Sequence, residues 1–209
     1  MAELSSGETL VMHLGMSGSF RVETGPPEAH AMSGAHDHVV FRMSSGATVT
    51  FNDPRRFGLM TLIGPDIHHA ALAAMGPEPL SAAFDAAALA AACRGKKTAL
   101  KVALLDQRVV AGIGNIYACE ALHRARLSPR RSASTIATRA GRPREAAVRL
   151  SAAIKTVLED AVRSLAEGVD RFRVYDREGA RCPRRGCGGT IKRIVQAGRS
   201  TFFCAVCQR

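Results

Sequence analysis

Four cysteines near the end of the chain carry the clearest chemistry. They read Cys182-Pro-Arg-Arg-Gly-Cys187, then sixteen residues, then Cys204-Ala-Val-Cys207. Two close pairs on one short stretch can place four thiolates at the corners of a tetrahedron. Zinc favours that arrangement, with ligand distances of about 2.3 Å and no redox chemistry of its own. The first gap is at the upper end of the usual knuckle spacing. Between the pairs, residues 190–195 and 199–203 favour β structure around Ala197-Gly198, which predicts a hairpin. A finger this small buries too little apolar surface to fold alone, so bound metal would supply its folding free energy. The expected cofactor is one structural zinc ion on Cys182, Cys187, Cys204 and Cys207. A pair of disulfides is the alternative; it belongs with secretion, which nothing else in the sequence suggests.

The charge around this cluster is uneven. Residues 1–93 carry 4 Lys/Arg against 9 Asp/Glu, whereas residues 94–209 carry 25 against 9, so the net +11 comes from the second part. A basic half joined to a metal finger points to a polyanion, with nucleic acid the commonest one and a ribosomal or membrane surface the other readings of charge alone. A composition of 46% hydrophobic and 22% charged residues belongs to a folded chain and argues against wholesale disorder. The first eight residues have neither the basic nor the apolar region of a signal peptide. No apolar run approaches the roughly 20 residues that span a bilayer. Cys93 and Cys119, isolated in helical patterns, read as small buried hydrophobes in a reducing cytoplasm.

The elements that must position these groups follow from pattern. Short β-favouring runs at 9–13, 19–22, 38–43, 48–51 and 57–63 are separated by turn residues such as Gly15-Met16-Ser17-Gly18, Gly25-Pro26-Pro27 and Asp53-Pro54. Gly76-Pro77-Glu78-Pro79 marks a linker. A helical run starts at Ser81 and closes at Arg94-Gly95, with glycine suited to the position after the last turn. Lys96–Gln107 predicts a second helix that Thr98 could cap, and a third starts near Asn115. A long helix runs from Pro143 to Leu165, where Ala147, Leu150, Ile154, Val157, Leu158, Ala161 and Leu165 make one apolar face. A strand-like piece, Phe172–Tyr175, leads into the finger.

Six phrases occur in order: His13-Leu-Gly-Met-Ser-Gly18, His36-Asp-His38, Asp53-Pro-Arg-Arg-Phe-Gly58, Gly76-Pro-Glu-Pro-Leu80, Gly112-Ile-Gly-Asn-Ile-Tyr-Ala118 and Gly198-Arg-Ser-Thr-Phe202. Together they make the sequence strongly resemble the bacterial formamidopyrimidine-DNA glycosylases of the wider family with endonuclease VIII. The resemblance covers nearly the whole chain from Leu10. It implies an α+β multidomain fold: a partial β-sandwich over residues 1–75, a helix-two-turn-helix domain over 76–170 and a β-hairpin zinc finger over 171–209. It also implies a cytoplasmic, nucleoid-associated base excision repair enzyme. Such an enzyme, acting as a monomer, removes oxidised purines such as 8-oxoguanine and formamidopyrimidines from double-stranded DNA and nicks the backbone at the abasic site by β,δ-elimination.

Residue by residue, the resemblance places Asn115 on a DNA phosphate, with Tyr117 beside it. The glycine-rich turn into a helix at Asn115 is itself an anion site, with a plain helix cap as the alternative. Lys96, Lys97 and Lys101 can project from one helix start toward phosphates; a solvated face is the bland reading. His36 and Arg55 match DNA contacts of the family, although a loop histidine is often only surface and Arg55 could pair with Asp53. Met16, Arg55 and Phe57 match the wedges that fill the hole left by a flipped base. A methionine between glycines is awkward as core, whereas Phe57 could be core. Arg199, just after the hairpin turn, matches the arginine that assists the second elimination.

The sequence also departs from the family pattern. The N-terminal proline nucleophile, its glutamate and a lysine before the His13 phrase are not identifiable. The Ala2-Glu3 pair sits too close to His13 to replace them. The segment between Gly168 and Phe172 is short where the family has a loop over the extruded base. These departures suggest a truncated member or a non-catalytic damaged-DNA-binding relative; an unrelated zinc-ribbon protein is a third reading. Missing strands would leave unpaired sheet edges, so poor solubility is expected of the isolated chain. A soluble monomer with a single cooperative melting transition would overturn that expectation.

Overall fold

The computed structural model describes residues 1–25, 34–64, 73–167 and 172–209. The segment Val169–Arg171 and the prolines of Gly25-Pro26-Pro27, both singled out in the sequence, lie outside these residues. The chain forms two compact units, Met1–Ala73 and Ala74–Arg209.

The first unit is β structure. β1 (Ala2–Glu3), β2 (Thr9–His13) and β6 (Leu59–Ile63) form one antiparallel sheet in the order β1-β2-β6. β3 (Ser19–Glu23), β4 (Asp37–Arg42) and β5 (Thr48–Asn52) form another in the order β3-β5-β4. Five of these strands lie where β-favouring runs predict them. β1 has no counterpart among those runs, because two residues carry no periodicity; it pairs Ala2 with Leu10 and Glu3 with Thr9. Among the described residues of this unit, Phe51 and Ile63 are the only buried apolar side chains, whereas Val22, Val40, Met43, Leu59 and Leu62 are exposed.

The second unit has a deep core. α1 (Ala86–Cys93) begins at Asp85, whose carboxylate accepts the Ala88 N–H at 2.7 Å. It does not begin at Ser81, because the Ser81 hydroxyl closes a turn on the Glu78 carbonyl at 2.8 Å. Gly95, at φ 69°, follows its C-cap as the sequence predicts. α2 spans only Leu100–Leu104, and neither Thr98 nor any other side chain caps it. The preceding backbone is drawn into extended pairing instead: the Thr98 carbonyl accepts from Ala133 N and the Lys96 carbonyl from Ser134 N, each at 2.9 Å.

α3 spans Asn115–Arg124, and α4 spans Glu145–Glu167. Pro143 lies outside α4, bridged to Ala137, and the first turn closes on the Arg144 carbonyl. Ala147, Leu150 and Ile154 are fully buried on α4, and Val157, Leu158 and Ala161 half-buried, as their spacing requires. Cys93 and Cys119 are buried, and burial pushes the Cys93 thiol up to about 11.

Phe172–Tyr175 is not a strand. The N–H groups of Arg173, Val174 and Tyr175 converge on the buried Glu120 carboxylate at 3.0, 2.8 and 2.9 Å, which bends the backbone around one side chain. β7 (Ile191–Gln196) and β8 (Arg199–Cys204) form the hairpin. Its two-residue turn has both Ala197 (φ 48°) and Gly198 (φ 72°) left-handed, the geometry that matches strand twist. Ile191, Phe202 and Cys204 of the hairpin share a small core with Cys119 of α3 and with Val174.

The two units should therefore differ in local stability. Native-state hydrogen exchange read by mass spectrometry is expected to show β2 and β5 opening before α1 and α3. Simultaneous exchange of both units would contradict this.

Candidate metal centre and nucleic-acid interface

The four cysteine Sγ atoms lie within 4.8 Å of one another. Cys182 and Cys207 are 3.8 Å apart, and Cys187 and Cys204 are 3.5 Å apart. A tetrahedron with arms of about 2.3 Å has edges of about 3.8 Å, so the set fits zinc. These separations are far beyond the roughly 2.05 Å of a disulfide, and all six cysteines are free. Burial opposes ionisation of Cys204, but the N–H groups of Cys207 and Val206 and the neighbouring thiols outweigh it and bring it to about 7. Burial and the same crowding push Cys207 up to about 12. A divalent cation resolves that conflict by stabilising every thiolate at once. Backbone fits closely here: a Cβ on Gly189 would meet the Cys204 sulfur at 2.8 Å. Gln208 fixes the end of β8, accepting from Cys204 N at 2.8 Å and donating to the Leu127 carbonyl at 2.9 Å.

A second cluster lies where α3 meets the start of β8. The Lys101 ammonium donates to Asn115 Oδ1 at 2.5 Å, and Asn115 Nδ2 donates to the Ser200 carbonyl at 2.9 Å. Asn115 is thus not a plain cap; Gly114 holds the cap position and has no side chain to offer. Lys101 is fully buried, and burial lowers its pKa, with the nearby Arg199 charge pushing the same way. The three lysines do not project from one helix start, because that helix begins only at Leu100. Lys97 is exposed, and Lys96 lies 3.6 Å from the Asp106 carboxylate. Tyr117 is half-buried and packs edge-on to Phe172, with ring centroids 6.5 Å apart. Arg199 is exposed directly after the hairpin turn.

In the first unit one buried carboxylate organises the other candidates. Asp53 accepts the Gly58 N–H at 2.6 Å and the Ser17 hydroxyl at 3.0 Å. Its own N–H donates to the His36 carbonyl at 2.9 Å. The turn carrying Met16 and the turn carrying Arg55 and Phe57 are therefore tied together. Their backbones touch, since a Cβ on Gly15 (φ 66°) would sit 2.6 Å from the Phe57 carbonyl carbon. Met16 is 76% exposed and Phe57 55%, so Phe57 is not core. Arg55 makes no side-chain pair with Asp53; its guanidinium lies over the Phe57 ring, 4.7 Å from the centroid. His36 is exposed at the turn that opens β4. Sequence reasoning gave Asp53 as a turn residue, as part of a family phrase and as a partner for Arg55, not as the pin of two turns, and it overlooked Glu120 and His123. His123 is buried on α3, where burial and then the Arg184 and Arg173 charges lower it to about 4. A polar residue flanked by apolar helix positions was the available signal.

Three family descriptions match consecutive parts of the chain. The formamidopyrimidine-DNA glycosylase N-terminal domain matches residues 1–60, the formamidopyrimidine-DNA glycosylase H2TH domain residues 75–173, and the zinc finger found in FPG and IleRS residues 179–209. A formamidopyrimidine-DNA glycosylase of Bradyrhizobium diazoefficiens is 54% identical over 233 aligned residues, covering all of this chain and 80% of the relative. One from Rhodopseudomonas palustris is 56% identical, again covering all of this chain and 79% of the relative. Among solved structures, the Lactococcus lactis enzyme non-covalently bound to DNA containing an AP site is similar with a TM-score of 0.81 and 30% identity. That match covers 98% of this chain and 75% of the other. The Thermus thermophilus protein gives 0.79 and 39%, covering 99% and 77%. The cysteine cluster is accordingly the site of one structural zinc ion.

The Gly58 N–H, helped by the Ser17 hydroxyl, holds the Asp53 carboxyl below its ordinary value of 3.8 against the opposing effect of burial. A lowered carboxyl stabilises the fold above its unfolded value, and that contribution is lost as pH falls through the folded one. As pH falls below about 4 the tie between the Met16 and Phe57 turns is expected to loosen as Asp53 takes up a proton. Amide NMR of Gly58 and Gly15 followed down an acid titration reads this directly; signals that stay in place once Asp53 is protonated would refute it.

Proposed function

The chain belongs to the formamidopyrimidine-DNA glycosylase family, whose members are base excision repair glycosylases with AP lyase activity, and we propose that it applies that chemistry to oxidised purines in duplex DNA through two sets of side chains, one on each unit. The observation that carries the reading is the Lys101–Asn115–Ser200 node beside Arg199. A buried ammonium orients the asparagine amide, and the strand that amide bonds carries an exposed guanidinium at its first residue. Arranged donors of this kind suit a phosphate diester. Asn115 and Arg199 hold the phosphates at the damaged nucleotide, and Lys97 adds a solvent-exposed charge. When the sugar opens, Arg199 stabilises the negative charge that collects on the departing phosphate in the second elimination. The remaining chemistry, attack of an amine on the sugar carbon, is assigned to none of these residues.

The first unit supplies the wedge. Met16 and the stacked Arg55–Phe57 pair fill the space that an extruded base leaves, with the apolar surfaces replacing lost stacking. Asp53 holds them ready, so little ordering remains when DNA arrives. His36 contacts the backbone beside them. Residues 1–75, 76–170 and 171–209 act as a partial sandwich, a helix-two-turn-helix domain and a finger. No helix among the described residues is long and apolar enough to cross a membrane. A cytoplasmic, nucleoid-associated monomer is the setting this reading requires. The Lactococcus lactis complex with AP-site DNA, similar over 98% of this chain, supports the choice of ligand.

A binding protein with the same grip but no catalysis is the competing reading, because it would use the same residues. Borohydride trapping on a duplex with one abasic site distinguishes the two. A covalent protein–DNA band would establish that an amine of this chain performs the lyase step; non-covalent binding without that band would establish the binding protein. Asn115→Ala is expected to weaken lesion and plain DNA alike by about tenfold, the loss of one charge-assisted hydrogen bond. Unchanged affinity in a fluorescence titration would remove Asn115 from the phosphate site.

A further inference from the structure

His123 lies one residue before the end of α3 and is almost completely buried. Its Nε2 is 3.3 Å from the Cys182 sulfur. A zinc-bound thiolate carries no proton, so it can only accept. The hydrogen between the two atoms must then belong to the imidazole. Nδ1, buried and without a partner, becomes a bare lone pair. The opposite tautomer would bury an orphan N–H at Nδ1 and turn two electron pairs toward each other at Nε2, which is the worse arrangement. From the other side, Arg184, which lies between the first two zinc ligands, donates to the His123 carbonyl at 2.6 Å and to the Arg124 carbonyl at 3.3 Å. The end of α3 and the first cysteine knuckle thus hold each other by a donor from each partner.

We propose that His123 is a positioning residue of the zinc centre, donating Nε2–H to the Cys182 thiolate and fixing the metal to the helix that carries Asn115. Such a donor draws charge from one sulfur and restricts the rotation of its side chain, both of which slow metal loss. It also adds to the polar attachments between α3 and the finger, with Asn115 on Ser200 at one end of the helix and His123 on Cys182 at the other. The inference rests on the zinc site and is independent of which DNA the chain binds.

The test uses the full zinc-loaded chain with His123→Phe, which keeps a ring but no donor, and His123→Gln, which keeps an N–H. Zinc transfer to a colorimetric chelator should show affinity lower by about ten- to a hundredfold for the phenylalanine variant, partly restored by glutamine. After cobalt substitution, the sulfur-to-cobalt charge-transfer band of the phenylalanine variant should shift, a change that packing alone does not produce. Parent-like zinc retention together with an unmoved band would overturn the proposal. If the phenylalanine variant does not fold, long-range proton–nitrogen NMR on the unsubstituted protein decides the tautomer. A proton on Nε2 is expected, and a proton on Nδ1 would overturn the proposal.

Discussion

Helix α3 joins a metal finger to a helical core through Glu120 and Asn115, whose polar atoms find partners on both sides of the junction. Burying a carboxylate such as Glu120 costs several kcal/mol unless hydrogen bonds replace water. Three consecutive backbone N–H groups do so here. In return the carboxylate bends the approach to the finger, so that Val174 falls into the small core shared with Cys119, Ile191, Phe202 and Cys204. Asn115 works in the same way at the start of the helix. Its amide directs an acceptor to Lys101 and a donor to Ser200, a division that needs both kinds of group on one short uncharged side chain.

The two units solve the problem of rigidity differently. The second has apolar depth, with Phe84, Leu89, Leu122 and Ile154 fully buried, and can position side chains by packing. The first buries only Phe51 and Ile63 among its described apolar residues, so it positions Met16, Arg55 and Phe57 through a polar pin. Asp53 collects a backbone amide, a hydroxyl and the neighbouring turn. A pin of this kind is precise in direction but responds to protonation, whereas a packed core does not.

Much of this was legible in the residues. β-favouring runs and turn chemistry located β2 to β6 and the hairpin, and the three-to-four spacing of α4 marked its buried face. Cysteine spacing identified the metal site, and ordered short phrases identified the family. What escaped was set by long-range contacts that leave no local pattern. The backbone before α2 follows its pairing with residues 132–134 and not the helical preference of Lys96–Ala99. The strand-like Phe172–Tyr175 yields to one carboxylate more than fifty positions away. Lys101 looked like a third member of a solvent-facing trio, and its burial becomes intelligible only once Asn115 is found beside it. His123 and Glu120 had only a weak local signal, polar residues among the apolar positions of one helix, and their roles depend on partners more than fifty positions away.

The shared core between α3 and the hairpin bears on how such a module can move between proteins. A segment cut out at residue 171 would keep all four cysteines and both strands, yet it would leave behind Cys119, Glu120 and His123. Its inner face would then lose the surface that covers Ile191 and Phe202. The piece that could be grafted onto another scaffold, or lost and regained in evolution, is therefore not the cysteine-bounded stretch that cysteine spacing makes conspicuous. It is that stretch together with one ten-residue helix some sixty positions upstream, a discontinuous unit that recombination would have to inherit whole.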